Sequence, residues 1–374
     1  MGKISIFLLT IAIAGVSYLS LLSFGRSGPK EIRIDTGERA TVSLAQNNMN
    51  NEIETVEGNL KAPWEMAFLP DRNILVTERA GMLKKIGNDG FSVRVPDVYE
   101  MGEGGLLGMA LHPNFSSNHW IYLYHTTNVR GGIKNMVERY VFSDNQLTDR
   151  KVIIDNIPAA QFHDGGRLAF GPDGYLYVTT GSASNDNFAQ DKSNLGGKIL
   201  RVKDDGSLPE DNPFGNEVYS SGHRNPQGLA WDNEGRLWAT EHGRSGILSG
   251  LDELNLIYKG GNYGWPVIQG NETNPGMLTS IINSGPNATW APSGTVYYNG
   301  SIFFAGLRGQ AIYEYKISDN SLFEHYKNQF GRLRDIVYGP DGNFYLLTNN
   351  TDGRGNPKSG DDKIIKVSPE SMRR

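Results

Sequence analysis

Cysteine is absent from the 374 residues, so a disulfide, a thiolate metal site and a thiol nucleophile are all excluded. Surplus basic charge is missing too. With 36 Lys and Arg against 41 Asp and Glu, the formal net charge is −5, which argues against a nucleic-acid partner. The seven histidines include no metal-ligand pair of the His-Glu-x-x-His kind. Long amphipathic helical windows are lacking, which disfavours helical solenoids and parallel α/β sheets. Long apolar runs are confined to the start. There Met1-Gly2-Lys3 is followed by an apolar stretch from Ile4 to Phe24 and then Arg26. At about 21 residues the stretch can serve as a secretory signal or a retained membrane anchor. Residues 1–26 are assigned to this leader and 27–51 to a polar linker. The expected location is exported, periplasmic or extracellular, tethered to the membrane if the leader is kept.

Glycine is plentiful. The 46 Gly and 17 Pro are scattered, as many short strands joined by tight turns require. From residue 52 one phrase recurs: an apolar strand, a Pro-Asp-Gly-like turn and a second β-rich strand. Its turns read Leu69-Pro70-Asp71-Arg72, His112-Pro113-Asn114-Phe115, Gly171-Pro172-Asp173-Gly174, Asp232-Asn233-Glu234-Gly235 and Gly339-Pro340-Asp341-Gly342. A weaker copy surrounds the hairpin signal Asn299-Gly300. A third strand follows most copies. Six such units predict an all-β fold, a six-bladed β-propeller of four-stranded antiparallel blades over residues 52–374. The strand near residues 52–56 is expected to join the last blade and close the ring.

In a propeller, loops at one end converge on the axis. His163, in Gln161-Phe162-His163-Asp164-Gly165, leads into an inner strand and is a candidate general base. Arg224, Arg308, Arg332 and Arg334 are read as arising at equivalent phases of three blades. Guanidinium groups so gathered repel one another unless an anion compensates them, which implies a multiply anionic ligand. Carboxylates beside glycine-rich backbone, at Glu241-His242-Gly243 and Asp252-Glu253, suit Ca²⁺. Taken singly, each of these residues also has a bland reading as solvated surface.

Together the phrases resemble the pyrroloquinoline-quinone-dependent soluble aldose sugar dehydrogenases and their soluble glucose dehydrogenase relatives. Nine stretches carry the likeness between residues 55 and 367. Among them are Pro63-Trp64-Glu65-Met66, Gly104-Gly105-Leu106-Leu107-Gly108, residues 163–168, residues 222–229, Asn262-Tyr263-Gly264-Trp265-Pro266, Trp290-Ala291-Pro292-Ser293-Gly294 and Arg332-Leu333-Arg334-Asp335. The resemblance implies an enzyme that oxidises aldoses to lactones at the anomeric carbon, with hydride passing to the tricarboxylated quinone, His163 as base and an unidentified electron acceptor. It implies cofactor contacts from Glu103, Arg224, Asn225, Thr289, Arg308, Arg332 and Arg334. Calcium is implied twice, at the Gly243 and Arg244 carbonyls beside the cofactor and at Glu253 with the Tyr263 carbonyl. Glu103 stands where the family pattern has glutamine, Arg308 where the glucose dehydrogenase has lysine, and Arg244 where it has proline. The competing expectations are a calcium-dependent propeller lactonase or esterase, and a non-catalytic propeller that serves as a binding platform.

Overall fold

The recurring phrase folds as six sheets. A computed structural model describes residues 53–246 and 249–372; the leader and linker assignments lie outside them. Blade one comprises β2 (Pro63–Phe68), β3 (Ile74–Glu78), β4 (Met82–Ile86) and β5 (Phe91–Arg94). Blade two comprises β6 (Leu106–Leu111), β7 (Trp120–Val129), β8 (Gly132–Ser143) and β9 (Gln146–Pro158). Blade three has β10 (Leu168–Phe170), β11 (Leu176–Thr180), β12 (Lys198–Val202) and β13 (Val218–Ser221). Blade four has β14 (Pro226–Trp231), β15 (Leu237–Glu241), β16 (Glu253–Ile257) and β17 (Ile282–Asn283). Blade five has β18 (Pro292–Tyr298), β19 (Ser301–Gly306), β20 (Ala311–Lys316) and β21 (Ser321–His325). Blade six takes β22 (Leu333–Tyr338), β23 (Phe344–Thr348) and β24 (Ile364–Val367), and its outer edge is filled by β1 (Ile53–Glu57) from the other end of the chain. Pairing within each blade is antiparallel, and β1 meets β24 with Ile53 opposite Val367 and Thr55 opposite Ile365. The closure expected from the sequence is present.

The turn chemistry explains why each phrase makes a hairpin. In Gly171-Pro172-Asp173-Gly174 the Gly174 N–H closes on the Gly171 carbonyl at 2.9 Å, with Gly174 at φ +79°. Asp173 Oδ1 accepts the Tyr175 N–H at 3.2 Å, so its side chain mimics a backbone turn. The second strands β3, β11, β15 and β23 are buried along their whole length between neighbouring blades. Apolar clusters lie between blades, as where Leu107, Tyr122 and Val137 of blade two meet Leu168, Val178 and Leu200 of blade three.

The innermost strands β2, β6, β10, β14, β18 and β22 touch in a closed circle. Gly294 on β18 permits the tightest of these approaches, since a Cβ there would fall 1.7 Å from Asp335 Oδ1. Polar groups tie the circle together. Buried Arg167 reaches Glu65 at 2.7 Å, Asp335 at 3.1 Å and the Gln227 carbonyl at 2.9 Å. Glu65 also accepts the Met109 N–H at 2.7 Å, and Asp335 the Met66 N–H at 3.2 Å. Five blades thus meet in one buried network, in which every charge has an opposite within contact.

Candidate active site

Above this network the axial loops enclose a cavity of about 500 Å³. It is lined by Glu103, His163, Arg224, Gly243, Arg244, Thr289, Arg308, Arg332 and Arg334, together with Trp64, His242 and Asp252. The four arginines and the histidine singled out in the sequence therefore do converge. The four do not all arise at one phase of the repeat. Arg224 and Arg332 immediately precede inner strands and Arg334 sits on β22, whereas Arg308 lies in the loop joining β19 to β20. In an antiparallel blade that loop opens at the same end as the start of the inner strand, so Arg308 reaches the cavity by a different route.

One of the expected cofactor contacts lies elsewhere. Asn225 does not line the cavity. It is buried behind the wall, where its Oδ1 accepts the Gly165 N–H at 2.9 Å and so holds the loop that carries His163. Glu253 and Tyr263 line a small neighbouring cavity with Glu241, Leu251 and Gln269. Glu253 begins β16, the third strand of blade four, a strand not assigned from the sequence.

His163 sits at φ +66°, in the left-handed region. Its backbone N–H donates to Glu103 Oε2 at 3.0 Å. Ser182 Oγ lies 3.4 Å from Nδ1, and Nε2 has no hydrogen-bond partner among the described residues. With the proton placed on Nδ1 toward Ser182, Nε2 is the basic nitrogen. Burial first, then the Arg224 charge, lowers the His163 pKa to about 4 against the pull of Glu103. The ring is thus neutral near pH 7. Burial works against ionisation of Glu103, but Arg354 at 2.7 Å and the His163 N–H outweigh it and hold the carboxyl at about 2.

Arg224 is positioned by a buried chain. Glu241 accepts its backbone N–H, and the other Glu241 oxygen lies 2.8 Å from His223 Nδ1. His223 Nε2 in turn lies 2.8 Å from Ser220 Oγ. The Arg224 guanidinium donates to Ser245 Oγ at 2.8 Å, but its Nε is buried without a partner. Arg334 donates to Gln227 Oε1 at 2.8 Å, and its Nε is likewise orphaned. Burial lowers the Arg334 pKa to about 9, resisted by Asp352 and reinforced by Arg332. Asp252 organises the opposite wall. One of its oxygens accepts the Gly243 N–H, and the other accepts Thr289 Oγ1 and the Trp290 and Ala291 N–H groups, all at 2.7 to 2.9 Å.

Arg79 and Arg354, not expected from the sequence, also belong to this wall. With them the lining holds seven arginines, of which Arg79, Arg332 and Arg354 each pair with a carboxylate. Arg224, Arg244, Arg308 and Arg334 have no carboxylate within 4.0 Å among the described residues. Four cations and the unused Nε–H groups of Arg224, Arg244 and Arg334 are what a ligand with several carboxylates would satisfy.

The small neighbouring cavity has the opposite character. Glu241 and Glu253 face it, and buried Gln269 Oε1 has no donor. Burial, with Glu241 adding to it, raises the Glu253 pKa to about 8. Beside the main cavity, the Gly243 backbone is pressed so close to the Gly250 and Leu251 carbonyls that a Cβ would come within 2.3 Å of both oxygens. Among the described residues, no three His, Asp or Glu side chains cluster with metal-ligand geometry, so an ion here would also need amide and backbone oxygens.

Comparison with known proteins identifies the family. A family model described as glucose/sorbosone dehydrogenase matches residues 60–358. The chain is 32% identical to the aldose sugar dehydrogenase of Escherichia coli, over 85% of this chain and 93% of that protein. It is 33% identical to quinoprotein glucose dehydrogenase B of Acinetobacter calcoaceticus, over 64% of this chain and 57% of that one. The structure superposes with a TM-score of 0.78 on the aldose sugar dehydrogenase of Streptomyces coelicolor solved with the quinone bound, at 37% identity, covering 84% and 97% of the two chains. An axial cavity rich in unpaired guanidinium groups, with a neutral histidine at its edge, is thus built on a chain that belongs to the glucose/sorbosone dehydrogenase family.

Proposed function

We propose that the protein is a quinoprotein aldose dehydrogenase that oxidises sugars at the anomeric carbon to lactones. The observation that carries this reading is the convergence of Arg224, Arg308, Arg332 and Arg334 on one cavity with His163. These arginines would hold the carboxylates of pyrroloquinoline quinone, with Thr289 and Glu103 at the cavity wall. When bound, that group supplies the hydride-accepting carbonyl. The sugar loses a hydride from its anomeric carbon and a proton from its anomeric hydroxyl. His163 takes the proton at Nε2, a role that suits a ring neutral near pH 7. Arg224, fixed through Glu241, would stabilise negative charge as it develops. Calcium would rest on the Gly243 and Arg244 carbonyls, acting there as a Lewis acid, and in the Glu241–Glu253 cavity as a structural ion. The polypeptide is taken to work outside the cytoplasm and to pass electrons to a separate acceptor.

The test is reconstitution with quinone and Ca²⁺, followed by dye-linked oxidation of a panel of aldoses. Turnover of glucose or another aldose is expected. His163→Ala should lower kcat by about 100-fold or more while the bound-cofactor absorption spectrum persists. Loss of that spectrum in the variant would remove His163 from the role of base.

A further inference from the structure

Beside the main cavity lies a second one of about 430 Å³, within the range of small-ligand sites. It lies between the approach to β22 and the loop from β23 to β24. Arg308, Arg332 and Arg354 line both cavities, so the two share a wall at the mouth. Nothing in the oxidation chemistry requires this second space. Its lining differs from the first. Gln310, Asn328, Gln329 and Asn356 present amide groups, which can both donate to and accept from sugar hydroxyls. Half-buried Phe330 offers an apolar face for the carbon side of a sugar ring.

Charge narrows the ligand further. Lys358 and Lys363 add two cations to the three arginines, against Asp361 as the one lining carboxylate. Most of these charges are already matched. Lys363 faces Asp361 at 3.5 Å, Arg332 pairs with Asp352 at 2.8 Å and Arg354 with Glu103 at 2.7 Å. Arg308 donates to Ser249 Oγ, which lines the main cavity, and so is turned to that side. Lys358 is left: exposed, and with no carboxylate within 4.0 Å among the described residues. One further negative charge is what this cavity can take.

We propose that the second cavity is a subsite for a uronate residue, so that the favoured substrate is an acidic oligosaccharide whose reducing end lies at His163 and whose next unit turns its carboxylate to Lys358. The inference rests on the aldose dehydrogenase reading and names its substrate class. The experiment uses the reconstituted protein with three sugars: glucose, a neutral glucose disaccharide, and the same disaccharide with glucuronate at the non-reducing end. The acidic disaccharide should show a KM about tenfold below the neutral one, the scale of one charge-assisted hydrogen bond. Raising the salt concentration should narrow that gap. Lys358→Glu should abolish the gap and Lys358→Arg should keep it, with KM for glucose unchanged in both. Calorimetric titration of the reconstituted protein with its cofactor reduced should show the same order of affinity for the two disaccharides. Equal KM values for the disaccharides, with glucose still oxidised, would overturn the subsite and leave the dehydrogenase reading standing. A Lys358→Glu effect on the KM of an anionic dye acceptor, with none on the sugars, would also overturn it by assigning the cavity to the acceptor. No oxidation of any sugar would instead sink the dehydrogenase reading.

Discussion

His163 is pulled in two directions by its neighbours. Arg224, His242 and Arg354 disfavour a positive charge on the ring, while Glu103 favours one. Burial is the larger effect and leaves the pKa at about 4, so the base is unprotonated above that value. Activity that depends on the neutral ring should be flat toward neutral pH, and kcat/KM should fall as pH drops through about 4. Glu103→Gln removes the one charge that raises this pKa and releases Arg354 from its ion pair. Both changes move the acid limb of the kcat/KM profile to lower pH. A profile that stays in place would show that Glu103 serves only to anchor the loop. The same carboxylate accepts the His163 backbone N–H, so glutamine, which can still accept there, should keep the loop in position.

Among the elements, the inner hairpins carry a comparison built into the molecule. Gly174, Gly235 and Gly342 occupy the left-handed position of their turns, at φ +79°, +74° and +80°. In blade one that position is Arg72, at φ +69°, with the same turn hydrogen bond back to the Leu69 carbonyl at 2.9 Å. A side chain with a Cβ is strained there, by about 1 kcal/mol. Arg72→Gly should therefore stabilise the protein by up to about 0.5 kcal/mol, after glycine's added freedom in the unfolded chain is subtracted. Denaturant unfolding measures it, and a lower midpoint would contradict the argument. Turn chemistry of this kind is local, which is why the six repeats could be read from sequence. The β16 strand could not. Glu253 and Asn255 alternate with Leu254 and Leu256, but the polar pair is turned toward a buried carboxylate cluster rather than toward solvent. Polar character then signals a site, not a surface. The cavity was partly readable for a related reason. Arg224, Arg332 and Arg334 all fall where a repeat enters its inner strand, whereas Arg79 and Arg354 come from loops whose lengths follow no repeat, and only folding brings Arg354 to Glu103 across the mouth.

At the scale of the whole molecule, an ion in the Glu241–Glu253 cavity would bind the folded state alone. Excess Ca²⁺ at about 100 times its Kd would then add about 2.7 kcal/mol of stability. Thermal unfolding should show a higher Tm with Ca²⁺ than with a chelator, and Glu253→Gln should shrink the difference. An unchanged difference in that variant would place the ion elsewhere. The pairing of β1 with β24 has a consequence of another kind. Of the strands described, β1 leaves the ribosome first, yet its partner leaves last, so blade six cannot be completed during synthesis. Five sheets can be laid down in order while the chain is still growing, with a raw edge on β24's future neighbour and a spare strand waiting. Ring closure is therefore a late event, and any machinery that binds the polypeptide while it is still being made meets an open ring rather than a closed one.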